Sequence, residues 1–300
     1  MELLVTNKRL IAQDTVAVTF EAATGTLTPV SPGAHITLQL GDFERNYTLT
    51  NGFSEGEPYE IQVLRVEGGR GGSIWLHDNL AVGDRVHSIG VANDFPLVAT
   101  TAPSIFIAGG IGITPFLSMA EAVAGRGNAF EVHHLVRHAS RQVPISQHVK
   151  PHLHTYVGDI PDFSKLLGGL DRSSHLYVCG PVGMMSSIRE EAYRQGFSST
   201  QFHAETFGAG PSVDDLPLEV HLALSGTSFV APPGRPLLDV LLEQGAWVGQ
   251  ECRRGQCASC LVEVLEGDPI HRDVIDPALR PSAMCACVSW AHGPRLVLNL

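Results

Sequence analysis

The chain has 300 residues, of which 44% are hydrophobic and 17% charged, so it can form two or three folded domains and is not a disordered protein. Its 31 acidic residues against 20 Lys and Arg give a net charge of -11, which argues against nucleic acids and anionic membrane surfaces as partners. Lys8 and Arg9 stand where a signal peptide needs an apolar run, and no apolar stretch is long enough to cross a bilayer. A cytoplasmic protein is therefore expected.

The first 99 residues have the pattern of an antiparallel β-structure. Short runs of alternating apolar and polar residues recur at 16–20, 35–40 and 59–64, and Gly and Pro residues separate them. Regular short strands with turn signals between them predict an antiparallel barrel or sandwich.

Two motifs in this part indicate a ligand. Arg45 and Tyr47 fall on one face of a predicted strand, because strand side chains alternate, and a cation beside an aromatic ring suits a flat anionic ligand. The segment 69–73 (GRGGS) precedes an apparent helix at 74–80, where free amides, a hydroxyl and an arginine can cradle a phosphate. An exposed cross-strand pair and a flexible hairpin tip are the alternative interpretations.

Near Pro103 the pattern changes to alternating strands and helices. Residues 104–108 form a continuous apolar run, a Gly-rich turn follows at 109–115, and a helical stretch follows at 116–123. Alternation of strand and helix predicts a parallel sheet with crossover helices. Further strands are expected at 130–136, 152–157 and 175–179, and further helices at 162–167 and 182–195.

The Gly-rich turn has the features of a nucleotide-binding loop. Glycines let the backbone approach a diphosphate, the helix N-terminus favours negative charge, and Pro115 suits the first helical turn. Cys179 and Gly180 end another predicted strand, and ligands of open α/β sheets gather at the carboxyl ends of strands. A packing turn and a buried structural thiol are the corresponding alternatives.

The C-terminal part begins with a segment of linker composition. Residues 207–217 (FGAGPSVDDLP) are rich in Gly, Pro, Ser and Asp and have little to bury. A small folded segment is expected after it, with strands at 218–224 and 227–230 and a helix at 236–243 before a cysteine-rich loop.

The cysteines give the strongest signal. The spacing Cys252-x4-Cys257-x2-Cys260 is that of plant-type [2Fe-2S] ligation, and Cys285 and Cys287 lie further on. A structural zinc site, with the last two cysteines as a second pair, is the alternative, but the first spacing is too open for a typical zinc knuckle. This clustering is not a disulfide framework and indicates a reducing compartment. Spacing leaves either of the last two cysteines open as the fourth ligand.

These motifs, in this order, resemble the phthalate dioxygenase reductase family, which also includes the reductase subunits of vanillate O-demethylase and carnitine monooxygenase. The resemblance runs over essentially the whole chain. It is carried by RNYTLTN (45–51), GRGGSIWLHD (69–78), NDFPL (93–97), AGGIGITPFLSM (108–119), YVCGPVGMM (177–185), FHAETFG (202–208), the cysteine loop and MCACVS (284–289).

The resemblance implies a multidomain protein of α/β plus β class. Its parts are an antiparallel flavin-binding β-barrel carrying FMN at 1–99, an α/β nicotinamide-nucleotide domain with a parallel sheet at 100–207, a linker at 208–216, and a β-grasp plant-type ferredoxin with a [2Fe-2S] cluster at 217–300. The chain would be an NADH-dependent oxidoreductase, the reductase component of an oxygenase system. A separate terminal oxygenase, expected to be of Rieske type, would accept the electrons. A monomer is expected, with no nucleic acid or membrane partner.

The resemblance also implies roles for particular residues. The flavin contacts are Arg45, Tyr47, Thr48, Leu64 and Arg65, with Arg70, Gly71, Gly72 and Ser73 at its phosphate. The nicotinamide and diphosphate path comprises Gly110, Gly112, Thr114, Pro115, Arg137, Cys179 and Gly180. Thr114, Cys179 and Phe207 are expected nearest the reacting rings. The usual His-Tyr before the dinucleotide arginine is His133-His134 here, which is a departure from the family.

For the cluster, the resemblance favours one of the two open choices. The family's fourth ligand stands immediately before Val-Ser, as Cys287 stands before Val288-Ser289, so the implied ligands are Cys252, Cys257, Cys260 and Cys287. Cys285 would then be a small buried hydrophobe.

Two other functions are compatible with these motifs. One is a regulatory protein with a structural zinc site and a nucleotide domain that senses the NADH to NAD ratio. The other is a related reductase that holds FAD instead of FMN. Because a hydride carries two electrons and an iron–sulfur cluster accepts one, a flavin between them fits the reductase interpretation.

Overall fold

The computed structural model describes residues 1–208 and 210–300, so residue 209 of the expected linker lies outside the described residues. The chain divides into two compact units. Residues 1–180 and 191–203 form the first, and residues 181–190 and 204–300 form the second.

The first unit begins with a six-stranded antiparallel sheet. Its alternating sequence buries one face, so that Ile36, Leu38 and Leu40 of one strand are fully buried. The strands are β1 (Glu2–Ala12), β2 (Thr15–Ala22), β3 (His35–Leu40), β4 (Phe43–Thr48), β5 (Tyr59–Leu64) and β6 (Arg85–Ala92), and one helix is inserted, α1 (Gly72–Asn79).

This sheet closes on itself. The strand order is β4-β3-β6-β1-β2-β5, and an antiparallel bridge joins Leu49, the residue after β4, to Ile61 of β5. The Thr50 amide adds a hydrogen bond of 2.9 Å to the Glu60 carbonyl beside that bridge. The antiparallel structure expected from the sequence, a barrel or a sandwich, is confirmed, and these contacts favour the barrel that the resemblance implies.

The second sheet of the first unit has parallel strands, as the strand–helix alternation predicts. Its central strand is buried along nearly its whole length, which explains its continuous apolar sequence. The strands are β7 (Ser104–Gly109), β8 (Phe130–Val136), β9 (Leu153–Val157), β10 (His175–Cys179) and β11 (Phe202–Glu205), in the order β11-β10-β7-β8-β9. The helices are α2 (Thr114–Gly125), α3 (Phe163–Gly168) and α4 (Val182–Arg194). The part of α4 up to Glu190 and the end of β11 from Ala204 belong to the second unit.

The C-terminal sheet lies in the second unit and packs on one short helix. Leu237, Leu238, Val240 and Leu241 of that helix are buried against the sheet's core. The helix is α5 (Leu237–Glu243), and the strands are β12 (Leu218–Leu222), β13 (Ser228–Ala231), β14 (Leu261–Glu266), β16 (Ala283–Cys285) and β18 (Arg295–Leu298), in the order β13-β12-β18-β14-β16.

Short elements complete the fold. A two-stranded ribbon pairs β15 (Pro269–Ile270) with β17 (Trp290–Ala291). Short 3-10 turns lie at Gly110–Ile113, Ala139–Arg141, Lys150–His152, Ser199–Gln201 and Pro277–Leu279. Within the residues that the structure describes, no helix is long and apolar enough to cross a membrane.

Candidate functional site

The start of α1 has an open N-terminus. Gly71 caps the helix with φ of 79°, in the left-handed region that favours glycine, and no side chain caps the first amides. The first turn has no acidic residue, whereas Arg70 directly precedes the cap. An uncapped helix start beside a cation favours an anion.

Arg45 lies against this turn. Its guanidinium donates to the Arg70 carbonyl and, at 2.8 Å, to the Glu44 carbonyl, and it lies 5.1 Å from the centre of the Phe43 ring. Burial, and then the like charge of Arg70, lower the pKa of Arg45. Two arginines that repel each other at one helix start are stabilised when an anion binds between them.

Gly72 makes this approach possible. A Cβ at Gly72 would stand 2.6 Å from Cγ of Arg45 and 2.7 Å from its Nε. The GRGGS motif therefore needs glycine at this position so that the Arg45 side chain can reach the turn. Ser73 follows, and its hydroxyl accepts a hydrogen bond of 3.2 Å from the Val66 amide.

Tyr47 provides a test of whether a ligand fits here. Burial raises the pKa of Tyr47 to about 12, although the positive charges of Arg45 and Arg70 act to lower it. Its hydroxyl oxygen is buried and has no hydrogen-bond partner among the described residues. A buried unpaired hydroxyl costs about 1–3 kcal/mol, so a polar ligand group at this position would stabilise the barrel. The residues present fit a phosphorylated, aromatic ligand.

The remaining barrel residues named from the sequence lie at strand ends. Thr48 is buried and pairs with His35 across the β3–β4 ladder. Arg65, just after β5, pairs with Glu67 at 2.6 Å and Asp78 at 2.5 Å, so its side chain is already held by carboxylates. Leu64, the last residue of β5, pairs with Thr15.

The Gly-rich turn after β7 packs on the end of β10. A Cβ at Gly112 would stand 2.3 Å from the Cys179 carbonyl oxygen, so only glycine allows this contact. Gly110 has a left-handed backbone with φ of 56°. Helix α2 begins at Thr114, which is buried and whose hydroxyl donates a hydrogen bond of 3.1 Å to the Ile111 carbonyl. The structure therefore brings together the Gly-rich turn and Cys179, two features that were predicted separately.

The side chain of Cys179 is fully buried in the hydrophobic core. The part of Cys179 that contacts the Gly-rich turn is its backbone carbonyl. Pro115 lies in the first turn of α2, as predicted, and Gly180 directly follows β10. Arg137, after β8, is exposed. Phe207 belongs to the second unit, where 39% of its surface is exposed.

His134, which departs from the family pattern, has a structural role. It is buried, and its Nε2 lies 2.9 Å from the carbonyl oxygen of Gly110, where the ring donates a hydrogen bond. Burial lowers the pKa of His134, and the hydrogen bond to Gly110 opposes that effect. The side chain thus fixes the left-handed start of the Gly-rich turn, a role that the sequence did not reveal.

The cysteine loop between α5 and β14 turns three times through the left-handed region. Arg253, Gly255 and Ala258 have φ of 52°, 72° and 63°. These turns direct backbone amides at sulfur, and the amides of Arg254 and Cys257 each lie 3.4 Å from Cys252 Sγ. Amides that point at thiolates stabilise their negative charge, as an iron–sulfur site requires.

Two pairs of thiols lie close together, and Cys285 is a further neighbour of Cys260. Each of Cys252 and Cys257 has its backbone amide 3.4 Å from the other's sulfur, and the sulfurs of Cys260 and Cys287 are 3.1 Å apart. Two pairs of thiolates suit the two irons of a [2Fe-2S] cluster. Across residues 1–208 and 210–300, no group of three or more His, Cys, Asp or Glu side chains is placed to hold a single metal ion.

Cys285 and Cys287 differ in their surroundings. Both neighbour Cys260, but Cys287 also receives a hydrogen bond from the Gly255 amide and interacts with Cys252. Cys285, at the end of β16, is fully buried, and the negative charge of Asp273 acts on it.

Asp273 packs against the cysteine loop at Gly255, a role that was not predicted. Its buried carboxylate accepts hydrogen bonds from Arg280 at 2.9 Å and from the Ile275 amide at 3.1 Å. Burial would raise the pKa of Asp273, but His271 and Arg280 outweigh it and hold the pKa below its usual value. A Cβ on Gly255 would stand 2.8 Å from that of Asp273, so the loop packs directly on this residue.

Comparisons with known proteins agree with this geometry. Residues 220–292 match the model of the 2Fe-2S iron-sulfur cluster binding domain. Vanillate O-demethylase oxidoreductase of Pseudomonas sp. (strain HR199 / DSM 7063) is 35% identical over 100% of both chains. The beta subunit of heme-dependent oxidative N-demethylase from Ectopseudomonas mendocina (strain ymp) is 36% identical, over 94% of this chain and 93% of that protein.

A solved structure covers the whole chain. Phthalate dioxygenase reductase, described as a modular structure for electron transfer from pyridine nucleotides to [2Fe-2S], matches with a TM-score of 0.76 and 32% identity, over 100% of this chain and 98% of that chain.

Proposed function

The chain belongs to the phthalate dioxygenase reductase family, and we propose that it is the NADH-dependent reductase component of a multicomponent oxygenase. One observation carries the proposal. A single chain combines an anion cradle in a closed barrel, a Gly-rich turn on a parallel sheet, and two pairs of thiols in a ferredoxin domain. A bound flavin accepts two electrons from a nicotinamide and releases them singly, as a one-electron [2Fe-2S] cluster requires.

We propose FMN as the flavin. Arg45, Arg70 and the free amides at the start of α1 would hold a terminal phosphate, and Gly71 and Gly72 keep the space for it. The unpartnered Tyr47 hydroxyl, with its pKa near 12, would donate a hydrogen bond to the ligand. A terminal phosphate concentrates about 1.5 to 2 negative charges on one group, whereas the internal diphosphate of FAD carries one charge on each of two groups, so two arginines at one helix start suit FMN.

We propose NADH as the electron donor. Gly110, Gly112 and Pro115 would let the nicotinamide and diphosphate approach the backbone, with Thr114, Cys179 and Gly180 beside the ring. A 2′-phosphate of NADPH needs a free cation, and Arg141 is paired with Asp14 at 3.0 Å. Reduction rates with NADH and NADPH test this choice, and equal efficiency would refute it.

We propose Cys252, Cys257, Cys260 and Cys287 as the cluster ligands. Cys252 and Cys257 would hold one iron, and Cys260 and Cys287 the other, because the fold places Cys252 beside Cys257 and Cys260 beside Cys287. The Gly255 amide at Cys287 supports the choice of Cys287 over Cys285.

We propose the domain limits expected from the sequence, namely 1–99, 100–207 and 217–300, with a linker at 208–216. The end of β6 at Ala92, the start of β7 at Ser104 and the start of β12 at Leu218 are compatible with them.

The proposed acceptor is a separate terminal oxygenase of Rieske type, and the reductase is proposed to be a monomer. One relative is named for a heme-dependent demethylase, so heme and Rieske acceptors should be compared directly. Electron delivery to a heme protein but not to a Rieske oxygenase would overturn this part of the proposal.

The whole assignment has a direct test. The purified protein should show a flavin and iron–sulfur absorption spectrum, and cofactor extraction should release FMN. Iron and sulfide should be present at two of each per chain, as a [2Fe-2S] cluster requires. Reduction with NADH should give the EPR signal of a reduced [2Fe-2S] cluster. A colourless protein containing zinc would refute the function, and extraction of FAD would correct the flavin alone.

A further inference from the structure

We propose that the buried ion pair of Arg254 and Glu205 sets the reduction potential of the cluster. This inference rests on the proposed function, since it concerns the [2Fe-2S] site. Arg254 lies inside the cysteine loop, and Glu205 ends β11, so the two residues are far apart in sequence. Arg254 Nη1 lies 3.6 Å from Glu205 Oε1, and the two side chains are only 7% and 1% exposed.

The position of Arg254 couples its charge to the thiolates. Its own backbone amide lies 3.4 Å from Cys252 Sγ, so the guanidinium begins from a residue in contact with a proposed ligand. Reduction adds one negative charge to the cluster. A buried positive charge nearby stabilises the reduced form, and a buried negative charge destabilises it, because little solvent screens either charge.

Arg253 provides a matched comparison within the same loop. It is the neighbour of Arg254 and the residue next to Cys252, and it forms an ion pair with Asp239. Its side chain is 46% exposed, against 7% for Arg254. Since solvent screens exposed charges, Arg253 should have little effect on the potential even though it is as close in sequence.

The loop around the ion pair is held firmly, so a change of charge should act without moving the thiols. Arg189 of α4 is buried and donates hydrogen bonds of 2.7 and 2.8 Å to the carbonyls of Val274 and Ile275. The Val274 amide in turn donates a hydrogen bond of 2.9 Å to the Gly255 carbonyl. These bonds link α4 to the segment at Val274 and that segment to the cysteine loop.

The test is a redox titration of the full-length protein followed by the EPR signal of the reduced cluster. Glu205→Gln keeps the side-chain shape and removes the negative charge, so it should make the cluster easier to reduce. Arg254→Gln should make it harder to reduce. We expect the equilibrium constant for reduction to change about tenfold in opposite directions, which is about 59 mV each for a one-electron couple.

Three controls make the result decisive. Arg253→Gln should change the constant by less than about threefold. Arg254→Lys keeps the charge and should stay near the unsubstituted protein. Iron and sulfide content should be unchanged in each variant. If Arg254→Gln fails to assemble its cluster, Glu205→Gln and Arg254→Lys still decide the matter.

Shifts of both charge-removing variants in the same direction, or shifts no larger than that of Arg253→Gln, would overturn the inference. Absence of a [2Fe-2S] EPR signal in the unsubstituted protein would instead overturn the proposed function. The two failures are therefore distinguishable.

Discussion

Replacing Cys287 by Ser should remove the cluster, whereas replacing Cys285 by Ser should leave it in place. Cys287 lies 3.1 Å from Cys260 and receives the Gly255 amide, so it completes the second pair of thiols. Without it one iron keeps a single thiolate, and we expect the iron content to fall from about two to below one per chain. The flavin content should not change.

Cys285→Ser should cost stability instead. The Cys285 side chain is fully buried, so a hydroxyl placed there without good partners costs about 1–3 kcal/mol, or a few degrees in the melting temperature. Cys285→Ala removes the hydroxyl and serves as the control for the polar effect. It should keep the cluster with a smaller loss of stability.

The assays are iron and sulfide analysis, the visible spectrum, the EPR signal after reduction, and thermal unfolding. The reverse pattern, with loss of the cluster in Cys285→Ser and retention in Cys287→Ser, would show that Cys285 is the ligand. Retention of the cluster in both variants would mean that the two thiols substitute for each other, and equal loss would mean that both are needed. Either result would refute the reasoning from the Gly255 amide.

Three further predictions concern the first unit. Gly72→Ala should release the flavin, because the added Cβ meets Arg45 at 2.6 Å, whereas Gly68→Ala, with no atom within 4 Å, should retain it; flavin absorbance per chain measures both. A fragment of residues 1–207 should fold as a yellow protein that oxidises NADH with ferricyanide, and an insoluble or flavin-free fragment would contradict the domain limits. Burial, and then His175, lower the pKa of His203 to about 4, so folding favours its neutral form and stability should fall as pH drops from about 6.5 toward 4. After allowance for solvent screening, the free energy of unfolding should fall by about 1–2 kcal/mol over this pH range. Thermal unfolding of His203→Phe should depend less on pH than that of the unsubstituted protein. His148→Asn, which changes an exposed histidine, should leave the pH dependence as it is.

Local signals in the sequence were sufficient for most of the architecture. The apolar run before the Gly-rich turn predicts β7 because a strand buried on both faces has no polar positions. The helix expected at 116–123 extends over Thr114–Gly125, since Pro115 and the preceding turn belong to its start. Strand β6 (Arg85–Ala92) was not predicted, because most of its residues are exposed and its sequence lacks a buried stripe.

The interactions that complete the sites could not be predicted, because they join residues distant in sequence. The hydrogen bond from His134 to Gly110 and the packing of Asp273 behind Gly255 depend on how strands and loops meet in three dimensions. Spacing located the cysteine loop but could not show which later cysteine receives the Gly255 amide. Short-range patterns therefore located the sites, and tertiary contacts determined their chemistry.

The distribution of charge follows from the cofactors that the sites fit. The chain as a whole carries a net charge of -11, yet Arg45 and Arg70 meet at the start of α1 and Arg254 is buried in the cysteine loop. A phosphate and a cluster held by four thiolates are both anionic, so each needs a local cation that an acidic surface does not supply. At the cluster, the carboxylate of Glu205 offsets part of that cation. Because the pair contains both charges, one substitution can move the reduction potential either way: loss of the Glu205 charge should raise it, and loss of the Arg254 charge should lower it. With a buried arginine alone, removal of the charge could only lower the potential.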